Sequence, residues 1–182
     1  VIEIGTIEDL QRIGNDPDYP LDGDYALSGD IDASATRGWN DGAGFRPIGK
    51  SLDGDVWTET YYTGSFNGRG HRITGLVIHW PWVHDDQDRS LKSYKVGLFS
   101  WTSEGARITN LVLEDCDITG DSNTGALVGE NYGVVTNCQV KGATVAARSY
   151  VGGLTGSNSG KIRFCDIEAQ ILAVQSPRSV VG

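Results

Sequence analysis

Methionine is missing from all 182 residues, position 1 included, so the chain reads as a processed product or an excised piece of something longer. Cysteine is scarce and odd in number at three, and with no CxxC pair the spacing does not suit zinc. No run of eighteen apolar residues occurs, so no stretch can cross a bilayer as a helix, and Val1-Ile2-Glu3-Ile4 does not resemble a secretory signal. Basic residues are few: 15 Lys and Arg against 24 Asp and Glu leave a formal charge of −9. That balance argues against nucleic acid and anionic membrane surfaces as partners, because both would repel it. Hydrophobic residues make up only 38%, as in a thin fold with few inward positions and much surface. Glycine, by contrast, occurs 25 times.

Those glycines recur in a pattern. Val96-Gly97-Leu98-Phe99, Thr124-Gly125-Ala126-Leu127-Val128-Gly129 and Val151-Gly152-Gly153-Leu154-Thr155-Gly156 start 28 and 27 residues apart, and Val180-Val181-Gly182 stands where another copy would begin. A fixed step of that size with strand-like content marks a solenoid in which each repeat forms one coil. The second halves align as Ile73-Thr74-Gly75-Leu76-Val77-Ile78, Ile108-Thr109-Asn110-Leu111-Val112-Leu113, Val135-Thr136-Asn137-Cys138-Gln139-Val140 and Ile162-Arg163-Phe164-Cys165-Asp166-Ile167. Apolar residues fall at the first, fourth and sixth places, so alternation breaks once, and the break is a corner between two faces. Ala143-Thr144-Val145-Ala146 and Glu168-Ala169-Gln170-Ile171 supply a third face.

Three short strands in about 27 residues predict an all-β fold, a parallel β-helix with coils stacked at roughly 4.8 Å. The handedness rule for parallel crossovers makes it right-handed. A β-sandwich would not repeat equivalent positions at a fixed long step. Leu111, Cys138 and Cys165 then share one column, with Cys116 in another. Two states of the thiols stay open, buried and free or a Cys138–Cys165 disulfide. Asn110 and Asn137 share a corner and can form a side-chain ladder that Phe164 interrupts.

Thr6 to Gly14 reads as a short N-terminal capping helix: Thr6 can cap it, Leu10 and Ile13 share a face, and Gly14 can end it. Its expected task is to close the first coil. The expected organisation is one domain over 1–182, with the cap at 1–14, irregular coils at 15–72 and regular coils at 73–182. An insertion at 79–94 explains the longer step from Ile73 to Ile108. After Val174 a turn leads toward a further coil, which predicts an open C-terminal edge that other subunits or further repeats would cover.

The segments "TGALVGENYGVVTNCQVKGATV" and "VGGLTGSNSGKIRFCDIEAQI" resemble GLUG repeats. Such repeats occur in bacterial and archaeal surface proteins, in filamentous-haemagglutinin-like adhesins and beside immunoglobulin A peptidase domains. "YALSGDIDAS", "FRPIG" and "YTGSFNGRGHRITGLVI" resemble the lead-in segment that precedes those repeats. The resemblance covers roughly residues 5 to 182 and implies scaffolding without agreed catalytic residues.

Several clusters merit weighing as sites. In the insertion, Trp80 and Trp82 flank a proline and could form an aromatic shelf for a sugar or peptide, with His84, Asp85 and Asp86 beside it. The competing reading has both tryptophans covering the coil beneath. His79, His84, Asp85, Asp86 and Asp88 could also ligate a divalent metal, although their spacing matches no established motif. Asp16, Asp18, Asp22 and Asp24 invite a calcium reading, against that of a solvated acidic loop. Glu114, Asp115 and Asp117 are the carboxylates a polysaccharide-degrading enzyme could use, yet outward strand carboxylates are ordinary solvating groups. His71 looks structural, so no Ser-His-Asp or Cys-His arrangement emerges.

The expectation is therefore a non-catalytic extracellular or cell-surface module, a stiff spacer or self-assembling fibre-forming subunit. It has no cofactor unless calcium is bound. Its partners are protein subunits or surface glycans, with neither nucleic acid nor membrane insertion. The alternative is a carbohydrate-binding module using Trp80 and Trp82, and a polysaccharide-degrading enzyme ranks behind both.

Overall fold

The computed structural model describes residues 1–53, 56–81 and 93–174. It is a parallel β-solenoid of about six turns. One face is a six-stranded parallel sheet ordered Ile2–Ile4, Asp24–Leu27, Ser65–Asn67, Arg107–Thr109, Val134–Thr136 and Lys161–Arg163. A second runs through Ile31–Asp32, Arg72–Thr74, Val112–Glu114, Gln139–Ala147 and Asp166–Ala173. Beyond a corner, Val77–His79 and Asp117–Thr119 pair with the later half of Gln139–Ala147. Phe99–Thr102, Val128–Asn131 and Thr155–Asn158 form a further face, and Tyr94–Val96, Ser122–Gly125 and Ser149–Gly152 a short one.

In Ser65–Asn67, Arg72–Thr74, Arg107–Thr109, Val112–Glu114, Asp117–Thr119 and Val134–Thr136 the middle residue of the strand points inward. Tyr25, Phe66, Ile108 and Val135 stack in register on the first face, and Ile31, Ile73, Leu113 and Val140 on the second, all buried. Each such side chain contributes about 1.5–3 kcal/mol relative to exposure. The corners are single residues in the left-handed region, and they too form columns. Lys95, Asn123 and Tyr150 share one, Asn110, Asn137 and Phe164 another, and Gly75, Asp115 and Gly142 a third.

Asparagine tolerates that conformation because its short amide can bond locally. Here it bonds along the axis: Asn110 Nδ2 donates to Asn67 at 3.0 Å, and Asn137 Nδ2 to Asn110 at 2.7 Å. In the next coil Phe164 takes the corner with φ 54°, and its ring is 84% exposed. Asn137→Ala meets two costs, left-handed strain of about 1–2 kcal/mol and a lost hydrogen bond of about 0.5–1.5 kcal/mol. Asn137→Gly meets only the second, so urea unfolding should rank wild type above glycine and glycine above alanine. Equal losses would remove the conformational argument.

Helix α1 covers Ile7–Arg12; Thr6 Oγ1 accepts from the Asp9 amide at 3.1 Å, and Gly14 follows at φ 78°. Ile7, Leu10 and Ile13 are buried in the core cluster. Ile4 is fully buried although its strand is the outermost of the sheet, because α1 packs over that end. The segment expected only as a cap therefore also contributes the first strand. In the last described coil, Ile162 is 37% and Ile167 and Ile171 are 43% exposed, whereas their counterparts Val135, Val140 and Val145 are buried.

The register of the early coils differs from the repeat alignment. Ile73 lies beside Leu113, and the neighbour of Ile108 is Phe66. Arg72-Ile73-Thr74 and Arg107-Ile108-Thr109 are identical triplets on different faces, which makes local similarity misleading. The step is 40 residues at Ile78–Ile118 and 28 at Tyr94–Ser122, so twelve extra residues fall in 79–94. A second excursion carries no periodic signature in the sequence. Ile48 and Tyr62 bridge in parallel to Phe99 and Thr102, and between them an antiparallel hairpin, Lys50–Asp53 with Val56–Glu59, leaves the coil.

Candidate functional site

That hairpin is held to the coil by buried charge. Lys50 is 1% exposed; its Nζ donates to the Tyr94 carbonyl and lies 3.5 Å from Glu59 Oε1. Glu59 Oε2 accepts from Lys95 at 3.0 Å, and Lys95 lies 3.5 Å from Glu130 and 4.0 Å from the centroid of the Trp101 ring. Burial pulls the Lys50 ammonium down to about 8, while the Glu59 charge works against that fall. A lysine so lowered has the pKa of a nucleophile, but no substrate can reach an amine this enclosed. The arrangement suits a clamp that ties the hairpin to two coils. Sequence reasoning missed it because Lys50, Glu59, Lys95 and Glu130 share no motif and are gathered only by the excursion.

A second ion pair, buried on its carboxylate side alone, ties successive coils. Asp121 is fully enclosed and takes both Arg148 Nε at 2.7 Å and Nη2 at 3.0 Å. Thr102, Asn131 and Asn158 extend a further ladder, with Thr102 Oγ1 to Asn131 at 2.7 Å and Asn131 Nδ2 to Asn158 at 2.7 Å. These contacts repeat from coil to coil and serve stacking.

Trp80 is half-buried: its indole N–H donates to the Phe45 carbonyl at 3.2 Å, and its ring meets Trp57 edge-on at 5.0 Å. Trp82, His84, Asp85 and Asp86 lie outside the described residues, as does Asp88. His79 is exposed at the end of its strand.

The four aspartates of the calcium reading are engaged separately. Asp16 pairs with Arg12 at 2.9 Å and accepts the Asp18 amide, which holds its carboxyl below the usual range. Asp24 accepts from the Ser65 hydroxyl. Asp18 and Asp22 have no side-chain hydrogen bond or ion pair among the described residues. Among the described residues, no three of His, Cys, Asp and Glu come together to hold a metal ion.

Leu111, Cys138 and Cys165 immediately precede strands paired in register; the Gln139 amide donates to the Leu111 carbonyl at 2.8 Å and the Asp166 amide to that of Cys138 at 3.1 Å. All three cysteines are free thiols. Burial pushes Cys116 and Cys138 up to about 12, so neither is a ready thiolate. Of the carboxylates weighed for hydrolysis, Glu114 is paired with Arg72 at 3.0 Å and Asp115 sits in a left-handed corner. Asp117 keeps its strand position, half-buried. His71 Nδ1 lies 3.3 Å from Asp30, which also accepts the Arg72 amide.

The stacked coils, corner ladders and inter-coil ion pairs define a parallel β-solenoid. No family model matches the chain, and no solved structure matches it. Over 137 residues it is 38% identical to Halomucin of Haloquadratum walsbyi, a match covering 75% of this chain and 1% of that protein. Over 139 residues it is 32% identical to a "Putative Gly-rich membrane protein" of Evansella cellulosilytica, covering 74% of this chain and 14% of that one. The chain thus spans only a small part of the relatives it matches.

Proposed function

We propose that this chain is a non-catalytic, stiff scaffold segment of a prokaryotic surface protein, exposed outside the cell and of the GLUG-repeat kind that its motifs resemble. The observation that carries this reading is the unbroken parallel ladder from Ile2–Ile4 to Lys161–Arg163, whose inward columns serve stacking. The printed names of the relatives, Halomucin and a membrane protein, support a surface setting, and the small share of each that is matched supports a role as one segment of a long chain. Trp80 is committed to Trp57 and Phe45, which favours the scaffold over a tryptophan shelf for sugars.

Assembly by strand addition between chains is a second reading, since the parallel sheets of a solenoid can be continued by any compatible strand. Antibodies raised against this segment should label intact source cells, and protease added outside should remove the signal. A segment that stays protected until the cells are lysed would overturn the surface role. Light scattering over a concentration series separates the two readings: a constant monomer mass supports the spacer, and growth with concentration supports assembly.

A further inference from the structure

The outward side of the first sheet carries an unmatched charge. Half of the basic side chains among the described residues stand in ion pairs: Arg12 with Asp16, Lys50 and Lys95 with Glu59, Arg69 with Glu3, Arg72 with Glu114 and Arg148 with Asp121. Arg107, Lys161 and Arg163 are exposed and have no ion pair or side-chain hydrogen bond among the described residues. The register brings them together: Arg107, Val134 and Lys161 occupy one outward column, and Thr109, Thr136 and Arg163 the next. Arg107 and Lys161 are two strands apart, roughly 9.6 Å.

An open cleft adjoins this face at the corner into the first sheet. Ser103, Glu104, Gly105 and Ala106 fill the upper turn, whereas Tyr132-Gly133 and Ser159-Gly160 suffice in the two coils below. A cavity of about 330 Å³ adjoins these turns, lined by Glu104, Tyr132, Val134, Ser159 and Lys161. That volume is at the small end for ligand sites. Tyr132 is 37% exposed, its hydroxyl donating to Glu130 at 3.3 Å and its ring tilted against Trp101 at 6.4 Å, while Glu104 and Ser159 can bond hydroxyls.

Charge complementarity, a ring for stacking and groups for hydroxyls belong together in one class of ligand. We propose that this face binds an acidic polysaccharide, its anionic groups on Arg107, Lys161 and Arg163 and one sugar ring on Tyr132 in the cleft. The cation spacing is roughly two sugar residues, so acidic groups two sugars apart along the solenoid axis meet Arg107 and Lys161. Beyond about 8 Å at physiological salt, screening weakens the pull of the molecule's other negative charges, which leaves Glu104, in the same cleft, as the carboxylate that competes with the ligand for Lys161. The inference goes beyond the scaffold role and does not need it.

Calorimetric titration of the intact chain with polygalacturonate, heparin, neutral dextran and duplex DNA tests it. Polygalacturonate or heparin should bind, the stronger of the two showing whether carboxylate or sulfate is preferred, and higher salt should weaken it. The K161Q/R163Q double variant should bind at least tenfold more weakly and Tyr132→Ala roughly tenfold, with circular dichroism unchanged because all three side chains are exposed. Absence of binding to both acidic glycans, equal affinity in the double variant, or dextran binding as tightly would overturn the proposal. DNA binding as tightly as the glycans would reduce the face to unselective charge and overturn it equally.

Discussion

Gly125→Ala is expected to destabilise the solenoid by about 3 kcal/mol, lowering the thermal midpoint by roughly ten degrees in a chain of this size. The position is not left-handed, so backbone freedom is not the issue. A Cβ on Gly125 would stand 2.5 Å from the Thr155 Cα and 2.7 Å from the Gly156 amide nitrogen, both backbone atoms of the next coil. No rotamer change relieves a backbone clash, so the coils must separate, and the pairing of Thr124 with Val151 and Gly125 with Gly152 is lost. The recurring glycines share the cause: at Gly97 the obstacle is the Gly125 carbonyl at 2.6 Å, and at Gly129 it is Lys95 carbon at 2.3 Å. Gly105→Ala is the control, since its nearest neighbour would be 3.8 Å away. Thermal melts followed by circular dichroism check both, and a Gly125→Ala melt within two degrees or so of wild type would contradict the close-approach argument.

Glu59→Gln should cost about 3–5 kcal/mol, because it leaves two ammonium groups beside an uncharged amide in an enclosed site. Lys50 and Lys95 both rely on that carboxylate. The cluster also fixes a pH dependence. Lys50 stands at about 8 in the folded chain, below its ordinary 10.5, so above pH 8 the unfolded chain holds the proton that the folded one has released. Stability therefore rises with pH from about 8, the penalty for a buried charge being fully present below that value. Cys116 and Cys138 act in the opposite sense: raised to about 12 from 9, they withdraw stability as pH climbs past 9. Urea unfolding should show a net gain of about 0.5 kcal/mol between pH 7 and 9, the cysteines already offsetting part of the lysine's contribution, then a decline. Lys50→Met should abolish the gain and keep the decline; a rise that persists in that variant would assign it elsewhere.

Much of this fold was legible in the chain because a solenoid is nearly one-dimensional. Once the step was known, inward positions such as Val135 and Val140 and the Asn110–Asn137 corner followed from period and alternation. The capping helix followed from Thr6, Leu10 and Ile13. The first turns were harder, since the two Arg-Ile-Thr triplets made a false alignment more attractive than the true pairing of Phe66 with Ile108. The hairpin at 50–59 escaped because nothing in its composition separates it from an irregular coil. The basic face was within reach: 107, 134 and 161 differ by the same 27 as the repeats, and stepping outward residues by that period would have stacked Arg107 over Lys161.

The sequence by itself determined which side chains face the core and how long a coil is, because both depend on local alternation and a repeated step. The tertiary structure decided which coil lies against which, how closely their backbones approach at Gly125, and which distant charges meet around Glu59. Those depend on contacts between residues tens of positions apart, whose pairing is selected by the packing of the whole stack rather than by any segment's own preference.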